Sequence, residues 1–295
     1  MHSSTLFGLL AAAVTVTAGP AQRQRRACGA APGAAIKCPV VFDGRVKTSA
    51  VPTDFDSYST SIFNPDYVKG QNLKWSEILQ FPSASNARFD NATYKPFEVT
   101  ISDDSIFQTQ HGFRRAGLQF SGDANSGSAG SKGVKTLHFS LKWDAQRALN
   151  LSHEYLNVWH EAGDYSSNQF NFESGAILGQ DSLPKDTWKL LDRQNKQIWS
   201  TPIVKDEWQN FAITLDFDNN TLQMYYSKGA DPLKSVTSAV SNDNSGDGQY
   251  QIGVLKKPTG TDDVVNSGYQ ESNLNEGLIY GSLFLEDSDK GCISL

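Results

Sequence analysis

The chain has 295 residues, of which 20% are charged, and it carries a formal net charge of −6 at pH 7. An acidic chain lacks the basic surface that nucleic acids and anionic membranes attract, so the charge argues against both as partners. The length is sufficient for one large domain with a substantial core.

The N-terminal region is typical of a secreted protein. An apolar run at residues 6–16 ends in small residues, and it is too short to span a membrane. We therefore expect a signal peptide at 1–19 and an extracellular location. The basic run at 22–26 is either a processing site or simply a basic stretch, and we slightly favour processing. Residues 20–37 are then a processed or flexible segment, and 38–295 form the mature domain.

Three cysteines bracket this expected domain: Cys28 and Cys38 near its start and Cys292 near its end. In an oxidising compartment, a bridge from one of the first two to Cys292 would join the two ends of the domain. We favour Cys38, because the strand-like run at 39–43 follows it directly. Sequence alone does not fix the pairing, so a role for Cys28 stays open.

Asn-x-Ser/Thr triplets begin at Asn91, Asn150 and Asn219. On a secreted chain these are glycosylation acceptors and indicate exposed loops or strand ends. Such triplets also arise by chance, so they support secretion without deciding it.

The periodicity along the chain is mainly that of strands. One short helical candidate lies at 74–79, and strand-like runs lie at 97–102, 113–120, 134–143, 155–161, 169–172, 208–217, 221–227, 249–255 and 277–285. Clusters of Gly, Ser, Asn and Asp at 121–133 and 241–248 separate them. Many short strands with almost no helical periodicity predict an all-β sandwich in a single domain.

The run at 155–161 alternates between apolar and polar or aromatic residues. In a regular strand, Tyr155, Asn157, Trp159 and Glu161 would share one face. Such a face offers a sugar flat rings for its C–H surfaces and acceptors for its hydroxyls. The same alternation also fits an ordinary solvated sheet face whose aromatic side chains pack on their neighbours.

Two other runs place polar residues on their outward faces by the same rule. Arg115 and Gly117 alternate with core positions in one run, and Gln249 and Gln251 do so in another. If these two runs are neighbours of 155–161 in a sheet, the three strands together form one concave sheet face.

Five motifs resemble those of the fungal glycoside hydrolase family 131: GFRRA at 112–116, GVKTLHFS at 133–140, LNLSHEY at 149–155, GVLKKPTG at 253–260 and GCISL at 291–295. The resemblance covers essentially all of 38–295 and keeps the order of the motifs. It implies a β-jelly roll of two antiparallel sheets, secretion by a fungus, and action on β-glucans with 1,3, 1,6 or 1,4 links.

The resemblance also shows departures at candidate catalytic positions. The family carries a glutamate after Phe-Arg-Arg-Ala and a histidine before Gly-Val-Leu-Lys-Lys, where this chain has Gly117 and Gln251. Another candidate glutamate of the family is kept as Glu161. Glycoside hydrolysis ordinarily needs two carboxyl groups. Gly117 has no functional group, and Gln251 cannot exchange a proton near neutral pH, so catalytic competence is in question.

Two functions therefore stay open. The first is a β-glucan hydrolase in which Glu161 is one acid or base. The second is a catalytically impaired member that binds β-glucan or the cell wall. The residues expected to contact the sugar are Arg115, Gly117, Tyr155, Asn157, Trp159 and Gln251. A polysaccharide lyase is a weaker third alternative, which the acidic charge and scattered histidines disfavour.

Other acids could replace the missing carboxylate: Glu154, Asp164, Glu271 and Glu276. For each of them a surface or turn position is favoured over the cleft. The histidines His111, His138, His153 and His160 are not at metal-ligand spacing. We therefore expect no metal and no cofactor, and we expect a monomer.

Overall fold

The computed structural model describes Met1 and residues 33–295. The rest of the expected signal peptide at 1–19, most of 20–37, and Cys28 lie outside the described residues. Within the described part, no helix is long and apolar enough to cross a membrane.

Seventeen strands make up most of the regular structure of residues 33–295: β1 (Val40–Asp43), β2 (Val46–Lys47), β3 (Leu79–Gln80), β4 (Tyr94–Lys95), β5 (Phe97–Ser102), β6 (Arg114–Leu118), β7 (Val134–Trp143), β8 (Glu154–Glu161), β9 (Asn168–Gly175), β10 (Thr187–Asp192), β11 (Gln197–Pro202), β12 (Gln209–Asp216), β13 (Thr221–Lys228), β14 (Lys234–Ser235), β15 (Val240–Ser241), β16 (Gln249–Lys256) and β17 (Asn275–Asp287). The α-helix α1 spans Trp75–Ile78, and 3₁₀ turns lie at Pro52–Asp56, Ala129–Ser131 and Asp289–Gly291.

Two antiparallel sheets pack face to face. The larger has nine strands in the order β14-β13-β12-β7-β17-β5-β3, with β1 added on β17 and β15 on β13. The smaller has six strands in the order β11-β10-β9-β8-β16-β6. Strands β2 and β4 form a separate pair. The predicted all-β sandwich is confirmed.

The core lies between the sheets and is built from the alternating apolar residues. Phe139 of β7 and Phe172 of β9 meet across the two sheets with ring centroids 5.1 Å apart, and Phe211 of β12 packs on both rings. Side chains of a strand alternate between its faces, so each central strand contributes every second residue to this layer. The period of two at 134–143 and 208–217 therefore predicted the core correctly.

Strands β10 and β11 were missing from the sequence prediction. They form a hairpin in which Trp188 and Leu190 face the core, while Lys189 between them is also buried. The turn between the strands contains Asn195 in a left-handed conformation, with φ 59°. Alternation of Trp188, Lys189 and Leu190 before an Arg-Gln-Asn-Lys turn was the available signal, but Leu191 directly after Leu190 breaks it.

The alternation predicted for 155–161 is wrong at its first half, because β8 contains a bulge. The pairing of β8 with both neighbouring strands shifts between Leu156 and Val158. An extra residue in a strand reverses the faces on one side of the bulge. Tyr155 consequently packs in the core between the sheets, whereas Leu156 belongs to a separate cluster on the outer face.

A second irregularity lies opposite the first, and Tyr280 of β17 contacts both. The β16 register shifts between Ile252 and Leu255. A Cβ on Gly253 would lie 2.0 Å from the carbonyl oxygen of Ala116, so only glycine fits there. The buried hydroxyl of Tyr280 lies 3.1 Å from the carbonyl oxygen of Asn157 and 2.7 Å from that of Gly253. One phenol from the nine-stranded sheet therefore bonds to the irregular backbone of both strands.

The two ends of the described chain are joined by a disulfide between Cys38 and Cys292, as predicted. Beside it, the C-terminal tail is anchored on a buried pair: His138 lies 2.9 Å from Glu286, and the Ser294 hydroxyl donates to Glu286 over 2.6 Å. His138 and Glu286 alternate with the core residues of β7 and β17, so this pair and the Ser294 bound to it lie on the outer face of the nine-stranded sheet.

The three predicted glycosylation acceptors, Asn91, Asn150 and Asn219, are all exposed. Asn219 lies in the turn between β12 and β13, where its side-chain amide donates to Asp216 over 2.9 Å.

Replacing Tyr280 by Phe tests the role of its hydroxyl. We expect the free energy of unfolding to fall by about 1–3 kcal/mol, because two buried carbonyl groups lose a donor. Urea denaturation measures the change. Tyr250→Phe is the matched control, since its buried hydroxyl makes a longer contact of 3.3 Å, to Gly130. An equal or smaller loss in Tyr280→Phe than in the control would contradict this role.

Candidate functional site

A cleft of about 870 Å³ lies on the outer face of the six-stranded sheet. Its floor contains Arg115 of β6, Trp159 and Glu161 of β8, and Leu255 of β16. These strands are neighbours in the order β8-β16-β6, so the predicted adjacency of 113–120, 155–161 and 249–255 is confirmed.

One wall of the cleft comes from the irregular segment before the sandwich. Its backbone runs beside β6: Phe63 pairs with Phe120, Asn64 N–H donates to the Gln119 carbonyl, and the Gly117 N–H donates to the Val68 carbonyl. The segment therefore carries Asp66 and Tyr67 to the cleft, and both line it. The opposite wall is the hairpin loop at 162–167 with the start of β9.

Glu161 is half-buried on the floor, and two side-chain amides hold one of its oxygens. Gln251 Nε2 donates to Oε2, and Gln249 Nε2 approaches the same atom at 3.3 Å. The same Gln249 nitrogen donates to the Tyr67 hydroxyl over 2.7 Å. Among the described residues, none donates a hydrogen bond to Oε1, so that oxygen is left for the cleft.

Arg115 fixes the direction of the Gln251 amide. Its Nη2 lies 3.3 Å from Gln251 Oε1, and its Nη1 donates to Gln110 Oε1 over 3.0 Å. A guanidinium can only donate, so Gln251 must present its oxygen to Arg115 and its nitrogen to Glu161. Arg115 is 6% exposed and acts on the carboxylate through Gln251.

The surroundings of Glu161 favour its protonated form. Burial raises its pKa, against the opposing effects of the Arg115 charge and the Gln249 and Gln251 amides. Burial and the negative charge of Glu161 also raise the pKa of Tyr67. A carboxyl group with a raised pKa beside an open cleft can donate a proton to a bound substrate.

Gly117 lies beside this group, as predicted, and contributes no functional atom. A Cβ there would lie 3.0 Å from Gln251 Oε1 and 3.7 Å from the Trp159 ring. A longer side chain at position 117 would therefore point at the Gln251–Glu161 pair.

Tyr155 and Asn157 do not line the cleft, which corrects the expected sugar-binding face. The bulge turns Tyr155 inward, where its hydroxyl donates to Glu276 over 2.8 Å. Asn157 is fully buried, and its Oδ1 accepts from Ser174 over 2.9 Å. Neither side chain is placed to contact a ligand in the cleft.

Trp159 faces the cleft as predicted, but its ring is covered. It is 1% exposed and packs among Phe113, Leu156 and Leu255. The Arg115 guanidinium lies 5.9 Å from the ring centroid. Trp159 therefore supports the floor and offers a sugar almost no surface.

The accessible aromatic residues of the cleft are ones that sequence reasoning missed. Tyr67, Phe107 and Tyr165 line it and keep exposed surface. All three lie in loops or irregular segments, where strand alternation gives no signal. An exposed tyrosine between Asp and Ser in a predicted turn was the one available indication, at Tyr165.

The proposed replacement carboxylates lie elsewhere. Glu154 pairs with Lys257, Glu271 and Glu276 both contact the buried Lys256, and Asp164 accepts from the Ser166 N–H in an exposed turn. Within the described residues that line the cleft, the carboxylates are Glu161 and Asp66. The described part of the chain contains no cluster of three or more His, Cys, Asp or Glu able to hold a metal.

The raised pKa of Glu161 has a consequence for stability. The pKa of Glu161 is higher in the folded protein than in the unfolded chain. The protonated group therefore contributes to stability at a pH below the unfolded-state pKa, and this contribution is lost as the pH rises through the folded-state pKa. Glu161→Gln should therefore raise the thermal unfolding temperature at pH 7, and the gain should shrink as the pH falls through the folded-state pKa of Glu161. Thermal unfolding across this pH range measures it.

Asp164→Asn is the control of opposite sign. Hydrogen bonds from Ser166 lower the pKa of Asp164, so its contribution is present above the unfolded pKa and lost as pH falls. Its neutralisation should not stabilise the protein at pH 7. A pH-independent effect of Glu161→Gln would contradict the prediction.

The comparisons with known proteins agree with this architecture. Residues 40–291 match the family model described as the glycoside hydrolase 131 catalytic N-terminal domain. The structure is similar to a GH131 β-glucanase catalytic domain from Podospora anserina, with a TM-score of 0.69 and 20% identity, covering 86% of this chain and 97% of that one. It is also similar to a glycoside hydrolase family 131 catalytic domain from Coprinopsis cinerea, with a TM-score of 0.66 and 20% identity, covering 85% of this chain and 95% of that one.

No match was found among curated proteins. Because the matched residues make up most of its length, the chain belongs to glycoside hydrolase family 131.

Proposed function

We propose that the protein is a secreted hydrolase of β-glucan in which Glu161 donates the proton to the leaving oxygen. The observation that carries this proposal is the state of Glu161: half-buried on the cleft floor, raised in pKa, and held by one oxygen with the other free. General acid assistance of this kind contributes about 10²–10⁴ to the rate.

The reaction also needs a group that activates water or attacks C1. Asp66 lies on the wall facing the hairpin loop and is exposed to solvent, so a water molecule can reach it. In the proposed reaction, Asp66 takes a proton from water, the new bond forms from that oxygen to C1, and the bond from C1 to the glycosidic oxygen breaks. The proton from Glu161 goes to the departing sugar.

The substrate class is proposed from family membership and from the cleft. The P. anserina relative is a β-glucanase, and the cleft combines accessible aromatic rings with amide groups. Secretion, glycosylation at Asn91, Asn150 and Asn219, and a monomeric state complete the proposal. Exposure of all three asparagines supports it.

Hydrolysis is tested by reducing-sugar release from laminarin, pustulan and mixed-link glucan, with binding isotherms on the same polymers. We expect Glu161→Gln and Asp66→Asn each to lower kcat by about 10²–10⁴ while binding persists, because each removes a proton-transfer group from the same cleft. Asp164→Asn, outside the cleft, should keep full activity. Hydrolysis unaffected by Glu161→Gln would refute the assignment.

A second function, β-glucan binding without turnover, is favoured by one observation. Position 117 points at the Gln251–Glu161 pair and has no side chain, so the described residues of the floor supply one carboxylate, Glu161, where the resemblance implies two. Glu161 Oε1, which receives no hydrogen bond from the described residues, would still accept one from a sugar hydroxyl. Gln251 is fully buried between Arg115 and Glu161, which corrects its expected contact with the sugar.

Gly117→Glu distinguishes the two functions. If the protein only binds glucan, the added carboxylate should produce hydrolysis at least about tenfold above the parent, because it restores the acid–base pair. The Cβ alone requires Gln251 to move by a few tenths of an ångström, and the rest of the glutamate displaces the flexible Gln251 side chain from Glu161. Gly117→Gln is the control of equal size without a carboxylate. If both variants and the parent have equal activity, the missing carboxylate at position 117 is not the cause of a binding-only function, and this second function is refuted.

A further inference from the structure

Tyr165 is an aromatic side chain displayed at the cleft without a core partner. It lies in the hairpin loop 162–167 that joins β8 to β9, only four residues after Glu161, and it lines the cleft. Its surface is 62% exposed, whereas Trp159 on the floor is 1% exposed. A large exposed ring inside a concave site is not explained by packing.

The backbone at Tyr165 is in a conformation that bulky residues avoid. Its φ is 62°, in the left-handed region where Gly, Asn and Asp are common and tyrosine is rare. Such conformations persist when the surroundings over-determine them, and they cluster at functional sites. The loop meets this condition: Tyr165 N–H donates to the Ala162 carbonyl over 2.8 Å, Ala162 N–H to Ser167 over 2.9 Å, and Gly163 N–H to Gly246 over 3.0 Å.

The ring is also held at its far end. Asn125, from the loop after β6, donates its side-chain amide to the Tyr165 hydroxyl. With the backbone and the hydroxyl both fixed, the ring has little freedom left to lose on binding.

Polar groups for sugar hydroxyls line the same side of the cleft. Asn168 Nδ2 donates to Asn171 Oδ1 over 2.7 Å, and Asn171 Nδ2 donates to Asn195 Oδ1 over 2.9 Å. All three line the cleft together with Arg193. A flat ring beside a fixed row of amides matches a ligand with an apolar face and a hydroxyl-bearing edge.

We propose that Tyr165 is the stacking platform of a sugar subsite that selects pyranose units with all ring hydroxyls equatorial. In β-glucose, equatorial hydroxyls leave both ring faces as flat arrays of C–H groups. An axial hydroxyl, as at C2 of mannose, projects from one of the two faces and prevents close contact of that face with the aromatic ring, so the proposed subsite stacks on the face that carries it. This inference rests on the proposed glucan function and adds the residue that sets its specificity.

The test measures binding in the Glu161→Gln background, where turnover does not intervene. The ligands are hexasaccharides of β-1,3-glucan, β-1,4-glucan and β-1,4-mannan, titrated by calorimetry. Tyr165→Asn removes the ring and keeps a residue that tolerates the left-handed backbone. It should raise Kd for the better glucan hexasaccharide by about tenfold or more, as truncation of a central aromatic contact does. It should also bring the glucan-to-mannan preference close to one.

Two control variants separate stacking from other effects. Tyr165→Phe keeps the ring and should bind within about twofold of the parent. Tyr269→Ala removes a tyrosine of similar exposure, 61%, that lies outside the cleft, and it should leave Kd unchanged. Thermal unfolding of each variant checks that the fold is intact.

The outcomes distinguish the two proposals. If the Glu161→Gln parent binds neither glucan hexasaccharide and also fails to bind pustulan, the proposed function fails and this inference falls with it. If the parent binds glucan and Tyr165→Asn binds equally well, or loses mannan and glucan affinity in equal proportion, the stacking platform is refuted while the glucan function stands.

Discussion

The contact between the Tyr280 hydroxyl and the carbonyl oxygens of Asn157 and Gly253 is the constraint on which the site depends. Each oxygen belongs to a strand with an irregular register, and the phenol reaches both from the opposite sheet. A regular β8 would send Tyr155, Asn157, Trp159 and Glu161 to one face. The bulge separates this set, sending Tyr155 into the core while Trp159 and Glu161 stay on the outer face. The binding face is thus defined by a backbone irregularity and a buried hydrogen bond.

The strands and core were predictable because burial of one strand face imposes a period of two. The residues of β7 and β12 follow it without interruption, and their core positions were assigned correctly. Pairing of Cys38 with Cys292 was also predicted, from the strand that follows Cys38. The bulge was not predictable, because an inserted residue leaves no mark in the alternation of Tyr155 to Glu161. Tyr165 and Tyr67 were missed because loop backbones place side chains by local hydrogen bonds, which carry no periodicity.

The floor and the rim of the cleft have different physical characters. On the floor, Arg115, Gln251 and Glu161 form a chain in which each donor is fixed by its neighbour, and burial makes this polarity strong. At the rim, Tyr165 and Asp66 are exposed and lie outside regular strands. A sheet gives the Glu161 carboxyl group a fixed position, while loops can present side chains at varied angles.

Positions 117 and 251 are structurally coupled. Gln251 lies between Arg115 and Glu161, and its Oε1 would be 3.0 Å from a Cβ at position 117. A larger residue at 117 would displace the amide that connects the guanidinium to the carboxylate. Gly117 therefore permits Gln251 to orient Glu161, and Gln251 uses the space that a glutamate would occupy. Glu161 thus has beside it a neutral amide that holds one of its oxygens, and the other carboxylate among the described residues that line the cleft is Asp66 at the rim.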